Sequence, residues 1–231
     1  MGRSVLEFSY KRRRALRNRI LSITCFIFIL LLLSTVLFKY IIFPVRIDSD
    51  SMYPCAEENS FVIVSPVSSY SRGDAIIVEP MYSIKRSVIK NICNAVTGFF
   101  TFQQYRPFSS SDLFTERQTL RRVVGFPGDT IYMKDYVLYI KPADSAHFLT
   151  EFELSDKEYD IYMASVPDDW DKSLGLCGVM PEKKLGTDEY FVLCDNRVSG
   201  LDSRIWGSVS QKNIAGKALL QYFPFNKFGL M

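Results

Sequence analysis

The sequence predicts a mostly β domain of antiparallel strands that follows one N-terminal transmembrane helix. Residues 20–38 form an uncharged apolar run of nineteen positions. Beyond it, short runs rich in β-branched and aromatic residues are bounded by Gly, Pro, Asp and Ser, which is typical of antiparallel strands joined by turns. The remaining part of about 190 residues is long enough to bury a sizeable core.

The apolar run is predicted to be a retained anchor. At about 1.5 Å per residue it covers nearly 30 Å, the hydrocarbon thickness of a bilayer. A cleaved signal peptide would have a shorter apolar core. Residues 1–19 carry seven basic residues and one acid, so the positive-inside rule keeps this tail in the cytoplasm. We therefore expect an anchor over 20–43 and an extracytoplasmic domain over 44–231.

Six runs in the external part are predicted to be strands. The turn Lys134-Asp135 between the third and fourth runs predicts a hairpin. In chain order the runs cover residues 61–64, 75–78, 130–133, 136–140, 190–193 and 218–223.

Two insertions interrupt these runs, at about 81–118 and 143–187. Apolar residues recur at spacings of three and four over 84–100, which predicts a basic amphipathic helix. Such a helix could lie in the membrane interface or pack on the sheet, and the sequence leaves both open. The second insertion is rich in acidic and aromatic residues, and the sequence does not indicate its role.

Composition narrows the functional classes. The chain has a net charge of +3, and its N-terminal tail of seven basic residues and one acid is more basic than the rest of the chain. Membrane topology explains these basic residues, so no nucleic-acid partner is expected. Of the five cysteines, Cys25 lies in the anchor, and the pairing of the other four stays open. The external cysteines are Cys55, Cys93, Cys177 and Cys194. With His147 as the single histidine and no Cys-x-x-Cys, we expect no metal and no cofactor.

Four motifs occur in a fixed order after the anchor. They are Ser51-Met52-x-Pro54, Arg72-Gly73-Asp74, Arg122-Val123-Val124-Gly125-Phe126-Pro127-Gly128-Asp129, and Asp195-Asn196-Arg197 followed by Asp202-Ser203-Arg204. Together they cover most of residues 44–220 and resemble the type I signal peptidases, membrane peptidases that use a serine–lysine dyad. The resemblance implies the same β-rich fold and no cofactor.

The resemblance also implies roles for single residues. Ser51 would be the nucleophile, and Ser49 would donate its hydroxyl to the developing oxyanion beside the Ser51 amide. Arg121 stands at the position of the lysine base. Structural support would come from two ion pairs, Arg122 with Asp195 and Asp202 with Arg204. We expect Ser51 at the start of a strand, with its hydroxyl within about 8 Å of the Arg121 side chain, since hydrogen bonds are far shorter than that.

The departures from the family pattern concern proton transfer. A guanidinium stays protonated in proteins, so Arg121 cannot act as a general base. Gly200 stands where the family has a serine that hydrogen-bonds the lysine, and Cys194 replaces a glycine. Asp50 replaces a small residue between the two serines. As substitute bases, Asp50, Lys134 and His147 are each disfavoured by their sequence position.

These observations leave two main functions. The first is a signal peptidase I-like serine endopeptidase that cleaves signal peptides from secreted preproteins at the outer face of the bacterial cytoplasmic membrane. The second is a catalytically silent relative that binds peptides or secreted proteins as a chaperone or regulator. In both, the partners are preprotein signal peptides and the lipid bilayer. An anchored structural module without a peptide role is the least favoured, because Ser49 and Ser51 are retained.

Overall fold

The computed structural model describes residues 2–79, 97, 118–163, 178–198 and 200–231. The chain divides into two compact units, Met1–Ile42 and Phe43–Met231. The first unit is a single helix, α1 (Gly2–Tyr40). Within it, Arg13–Leu33 is long and apolar enough, by length and composition, to cross a membrane. The amphipathic helix predicted over 84–100 lies outside the described residues.

The second unit consists of two antiparallel sheets, as the sequence predicts. The larger sheet has the strand order β1-β2-β11-β3-β4-β9-β10, with β12 paired to β11. Its strands are β1 (Phe43–Arg46), β2 (Phe61–Ser65), β3 (Ala75–Val78), β4 (Thr119–Gly125), β9 (Glu189–Leu193), β10 (Val209–Ser210), β11 (Ile214–Phe223) and β12 (Gly229–Leu230).

The smaller sheet has the order β7-β6-β5-β8. Its strands are β5 (Thr130–Lys134), β6 (Val137–Lys141), β7 (Leu149–Thr150) and β8 (Met180–Lys184). β5 and β6 form the predicted hairpin, but its turn is Asp135-Tyr136 rather than Lys134-Asp135, and both turn residues adopt positive φ, at 50° and 66°. This conformation suits a two-residue turn between twisted strands. β7 and β8 both come from the acidic stretch 143–187.

Strand β4 contributes side chains to all three hydrophobic clusters of the described residues, and Val123 belongs to the cluster with Ile76 and Val192. Leu120 packs in a core with Val62 and Ile77 of the larger sheet. Val124, four residues further along β4, packs in a second core with Leu138 of the smaller sheet. The short helix α2 (Ser203–Trp206) follows β9, and 3-10 turns cover Gln211–Asn213 and Phe225–Lys227. Because both ends of β4 are anchored in a core, its central side chains have little freedom to move.

Candidate active site

The candidate nucleophile lies in a tight turn. Ser51 belongs to the segment between β1 and β2, so the expectation that it begins a strand is wrong. The turn is closed by hydrogen bonds from the Tyr53 amide to the Asp50 carbonyl, 2.9 Å, and from the Ala56 amide to the Met52 carbonyl, 2.8 Å. The Met52 side chain is fully buried in the core. Core packing of Met52 therefore holds the neighbouring Ser51 in place.

Strand β4 supplies the basic pair. Arg121 pairs in register with Ile76 of β3, and Arg122 pairs with Ala75 of β3 and with Leu193 of β9. Successive side chains of a strand point to opposite faces of the sheet. The two arginines can therefore serve different partners although they are adjacent in sequence.

Arg121 is in direct contact with Ser51. Its Nη1 donates a hydrogen bond of 2.9 Å to Ser51 Oγ, and its Nε donates to the Leu201 carbonyl at 2.8 Å. Ser49 Oγ lies 2.9 Å from Ser51 Oγ. A guanidinium has donors and no acceptor, so Ser51 Oγ accepts from Arg121. The hydroxyls of Ser49 and Ser51 share a further hydrogen bond in which either can be the donor. No group in this triad can accept a proton as a general base.

The three alternative bases all lie on the surface. Asp50, Lys134 and His147 are exposed, and in the described part of the chain none of them hydrogen-bonds the Ser51 hydroxyl. His147 lies in the loop after β6, where its backbone amide bonds to Ser145 Oγ at 3.3 Å. The described contacts of Ser51 therefore include no general base.

Cys194 fills the volume that a side chain at position 200 would need. A Cβ added to Gly200 would lie 2.0 Å from Cys194 Sγ and 2.5 Å from Cys194 Cβ. The thiol is buried and lies 3.7 Å from the Leu201 carbonyl, which also accepts from Arg121. Burial raises the pKa of Cys194 to about 12, so the thiol stays neutral at physiological pH. The two departures at positions 194 and 200 are thus sterically coupled.

Two buried ion pairs brace the segments around Ser51. Arg122 donates through Nε to Asp195 Oδ1 at 2.6 Å and through Nη2 to Asp195 Oδ2. Burial by itself would lower the pKa of Arg122, but hydrogen bonding and attraction to Asp195 raise it, so Arg122 stays charged. Burial raises the pKa of Asp195, and its hydrogen bonds and attraction to Arg122 counteract that rise. Arg204 donates to Asp202 at 2.9 and 2.8 Å, and Asp202 also accepts from the Cys194 amide at 3.0 Å.

A third buried ion pair was not predicted from the sequence. Arg197 donates to both carboxylate oxygens of Glu151, at 3.0 and 2.5 Å, and both side chains are almost fully buried. Tyr159 donates to Glu151 at 2.8 Å, and its ring lies 4.1 Å from the Arg122 guanidinium carbon. Glu151 and Tyr159 come from the acidic insertion. The only signal for this network was Arg197 within the C-terminal motif, and that signal names no partner.

The backbone beside Ser51 is held by the segment that follows Asp195. The Asn196 amide donates to the Ser51 carbonyl at 3.0 Å, and the Tyr162 amide donates to the Asp195 carbonyl at 2.9 Å. The exposed ring of Tyr53 meets Tyr162 edge to face at 5.4 Å. Motif residues far apart in the sequence therefore converge on one turn.

Cys25, Cys55 and Cys194 are free thiols, whereas Cys93 and Cys177 lie outside the described residues. Among the described residues, no group of His, Cys, Asp or Glu side chains is arranged to hold a metal ion.

A serine hydroxyl next to a buried basic side chain, on an antiparallel β scaffold in a chain with an apolar N-terminal helix, points to the class of membrane serine peptidases, with an arginine at the place of the base. A family model described as signal peptidase, peptidase S26, matches residues 20–223. The chain therefore belongs to the signal peptidase family, and its function is signal peptidase I-like.

The chain is similar in sequence to two bacterial signal peptidases I over most of its length. It is 26% identical over 203 residues to a probable signal peptidase I-1 of Synechocystis, covering 86% of this chain and 80% of the relative. It is 28% identical over 190 residues to a signal peptidase I of Leptolyngbya laminosa, covering 79% and 70%. A solved signal peptidase I of Enterococcus faecalis has 19% identity and a TM-score of 0.36, covering 65% of this chain and 97% of that one.

Proposed function

We propose that the chain is a membrane-anchored endopeptidase that binds the signal peptides of secreted preproteins and cleaves them slowly, with Ser51 as the nucleophile. The observation that carries the proposal is the contact of Ser51 with both Ser49 and Arg121 at 2.9 Å, inside a chain of the signal peptidase family. The seven basic residues before the apolar run support an N-terminus inside and a β domain outside the bacterial cytoplasmic membrane.

The proposed chemistry is acyl transfer. Ser51 Oγ attacks the scissile carbonyl, and the Ser51 amide and the Ser49 hydroxyl donate to the oxyanion, each donor contributing about 3–4 kcal/mol in comparable sites. The proton of Ser51 passes directly to water, while the Ser49 hydroxyl keeps its hydrogen bond to the oxyanion. Water is a poor base, and a positioned general base contributes about 10²–10⁴-fold. Turnover is therefore slower by about this factor than with a neutral lysine that is correctly oriented in place of Arg121.

A second function is favoured by the same contact. Since Arg121 donates to Ser51 Oγ and cannot take its proton, the cleft could retain peptide binding without cleavage and act as a chaperone or regulator. The two functions share a ligand and differ in turnover.

Incubating the full chain in detergent with a preprotein tests both. Slow release of the mature protein by the wild type, absent in Ser51→Ala, supports the endopeptidase. Binding without cleavage by either protein supports the silent relative. If the preprotein neither binds nor is cleaved, the proposal fails.

A further inference from the structure

Arg121 is a buried cation without an anionic partner in the described part of the chain. Its exposure is 3%. Three other buried arginines each have a carboxylate partner, namely Arg122 with Asp195, Arg197 with Glu151 and Arg204 with Asp202. Arg121 instead donates to two carbonyls and to Ser51 Oγ, and its guanidinium carbon lies over the Trp206 ring, 5.5 Å from the centroid. A buried charge without a counter-charge is costly, so an anion at this position would be bound favourably.

The guanidinium also has spare donors. Nε and Nη1 make its hydrogen bonds to Leu201, Leu120 and Ser51, whereas Nη2 has no acceptor among the described residues. The two N–H groups of Nη2 belong to the same rigid plane that contacts the Ser51 hydroxyl. An anion bound by Nη2 would therefore lie next to Ser51, and carboxylate matches the planar arrangement of guanidinium donors.

We infer that Arg121, Ser49 and Ser51 bind the α-carboxylate of a peptide, so that the cleft prefers a peptide with a free C-terminus. This inference rests on the proposed peptide-binding function. Attack by Ser51 requires the scissile carbonyl carbon beside its Oγ. In a cleaved signal peptide that carbon carries a second, charged oxygen. One carboxylate oxygen can accept from the Ser49 hydroxyl and the Ser51 amide while the other accepts from Arg121 Nη2.

Arginine makes this site different from a lysine site. A lysine that serves as a base must be neutral to accept the proton, and in that state it offers no charge to an anion. The Arg121 guanidinium remains charged throughout. The substitution thus removes a base and creates a permanent carboxylate receptor, which makes the released signal peptide a stronger ligand than the uncleaved segment.

The test compares two synthetic signal peptides that have the same sequence and end in a small-x-small motif. One has a free C-terminal carboxylate and the other a C-terminal amide. Calorimetric titration of the full chain in an uncharged detergent at pH 7 should show the acid binding about 10- to 100-fold more tightly, as expected for charge-assisted hydrogen bonds. Arg121→Gln should reduce the affinity for the acid to that for the amide. Lys134→Gln, which removes one exposed positive charge from the same domain, should leave the preference unchanged.

The outcomes separate this inference from the proposed function. Equal, measurable affinity of the wild type for both peptides overturns the carboxylate site and leaves peptide binding intact. A preference that survives in Arg121→Gln overturns the assignment to Arg121. If neither peptide binds the wild type, the carboxylate site and the proposed function both fail. The comparison of the two peptides on the wild type does not depend on the folding of any variant.

Discussion

The Cys194 thiol and the Cα of Gly200 are packed so closely that only a glycine fits at position 200. An added Cβ would lie 2.0 Å from Cys194 Sγ, a separation that real Cβ atoms do not show. A serine at position 200, which the sequence motif leads us to expect as the partner of a lysine base, therefore cannot be introduced by one substitution. Position 194 must become small before position 200 can carry a serine.

Gly200→Ser by itself should destabilise the protein. Overpacking a tight interior costs about 1–3 kcal/mol, because Cys194 is buried and its thiol has little room to move away. Adding Cys194→Gly should recover most of the loss, since it removes both atoms that clash. Thermal unfolding of the four proteins of this double-mutant cycle in detergent measures the coupling. Additive effects of the two substitutions would contradict the packing account.

Removing Glu151 should be more damaging than removing a surface acid. Glu151→Ala leaves Arg197 charged, buried and without its carboxylate, and breaking one partner out of a buried pair costs about 3–5 kcal/mol. Glu153, two residues away, is exposed and bonds only to Thr150, so Glu153→Ala is the matched control and should cost far less. Comparable melting temperatures for the two variants would rule out a supporting role for the Glu151 network.

Stability at low pH should depend on Asp74. Burial by itself would raise the pKa of Asp74, but hydrogen bonds from Lys217, the Ser71 amide and Lys157 lower it overall. The two lysines lie 2.6 and 3.0 Å from its carboxylate oxygens. The pKa of Asp74 is lower in the native state than the value of about 3.9 expected in the unfolded state. At pH values between the two, the unfolded state therefore binds more protons. The stabilisation is present above that value and is lost as pH falls through the native pKa.

Asp74→Asn should therefore have a lower melting temperature than the wild type at pH 7. The difference between the two melting temperatures should become smaller as the pH approaches 3. Asp144→Asn changes an exposed carboxylate of the same domain and serves as the control. Parallel pH profiles for wild type and Asp74→Asn would show that these lysine contacts contribute nothing to stability.

Sequence patterns predicted strands with apolar side chains. They missed β4, whose buried arginines need hydrogen-bond partners from other parts of the chain. β3 begins and ends at the predicted residues, because Ala75-Ile76-Ile77-Val78 is buried along its whole length. β4 was not identified as a strand, since Arg121 and Arg122 interrupt its apolar pattern. Both arginines are nevertheless buried, because the fold provides Asp195 for one and Ser51 for the other.

Motif order predicted that Ser51 and Arg121, seventy positions apart, come together, and the 2.9 Å contact confirms it. The pairing of Arg197 with Glu151 could not be predicted, because it joins a motif to an insertion across 46 positions. The contact of Cys194 with Gly200 also depends on the path of the chain after β9. Spacing alone does not encode that path.

We propose that Ser51 is a competent nucleophile that lacks a general base, and one comparison of variants tests this most directly. Arg121→Lys restores an amine that can lose its proton, and Cys194→Gly with Gly200→Ser restores the space and the hydrogen-bond partner that orient it. Arg121→Lys alone should give little rescue, because Cys194 still occupies the place of that partner.

The rate of preprotein cleavage by the full chain in detergent is the measurement. The triple variant should exceed the wild type by about 10²–10⁴-fold, and Ser51→Ala in the triple background should abolish the gain. Wild-type turnover that already equals the triple variant and is lost with Ser51→Ala would contradict the claim, because another group would then be acting as the base.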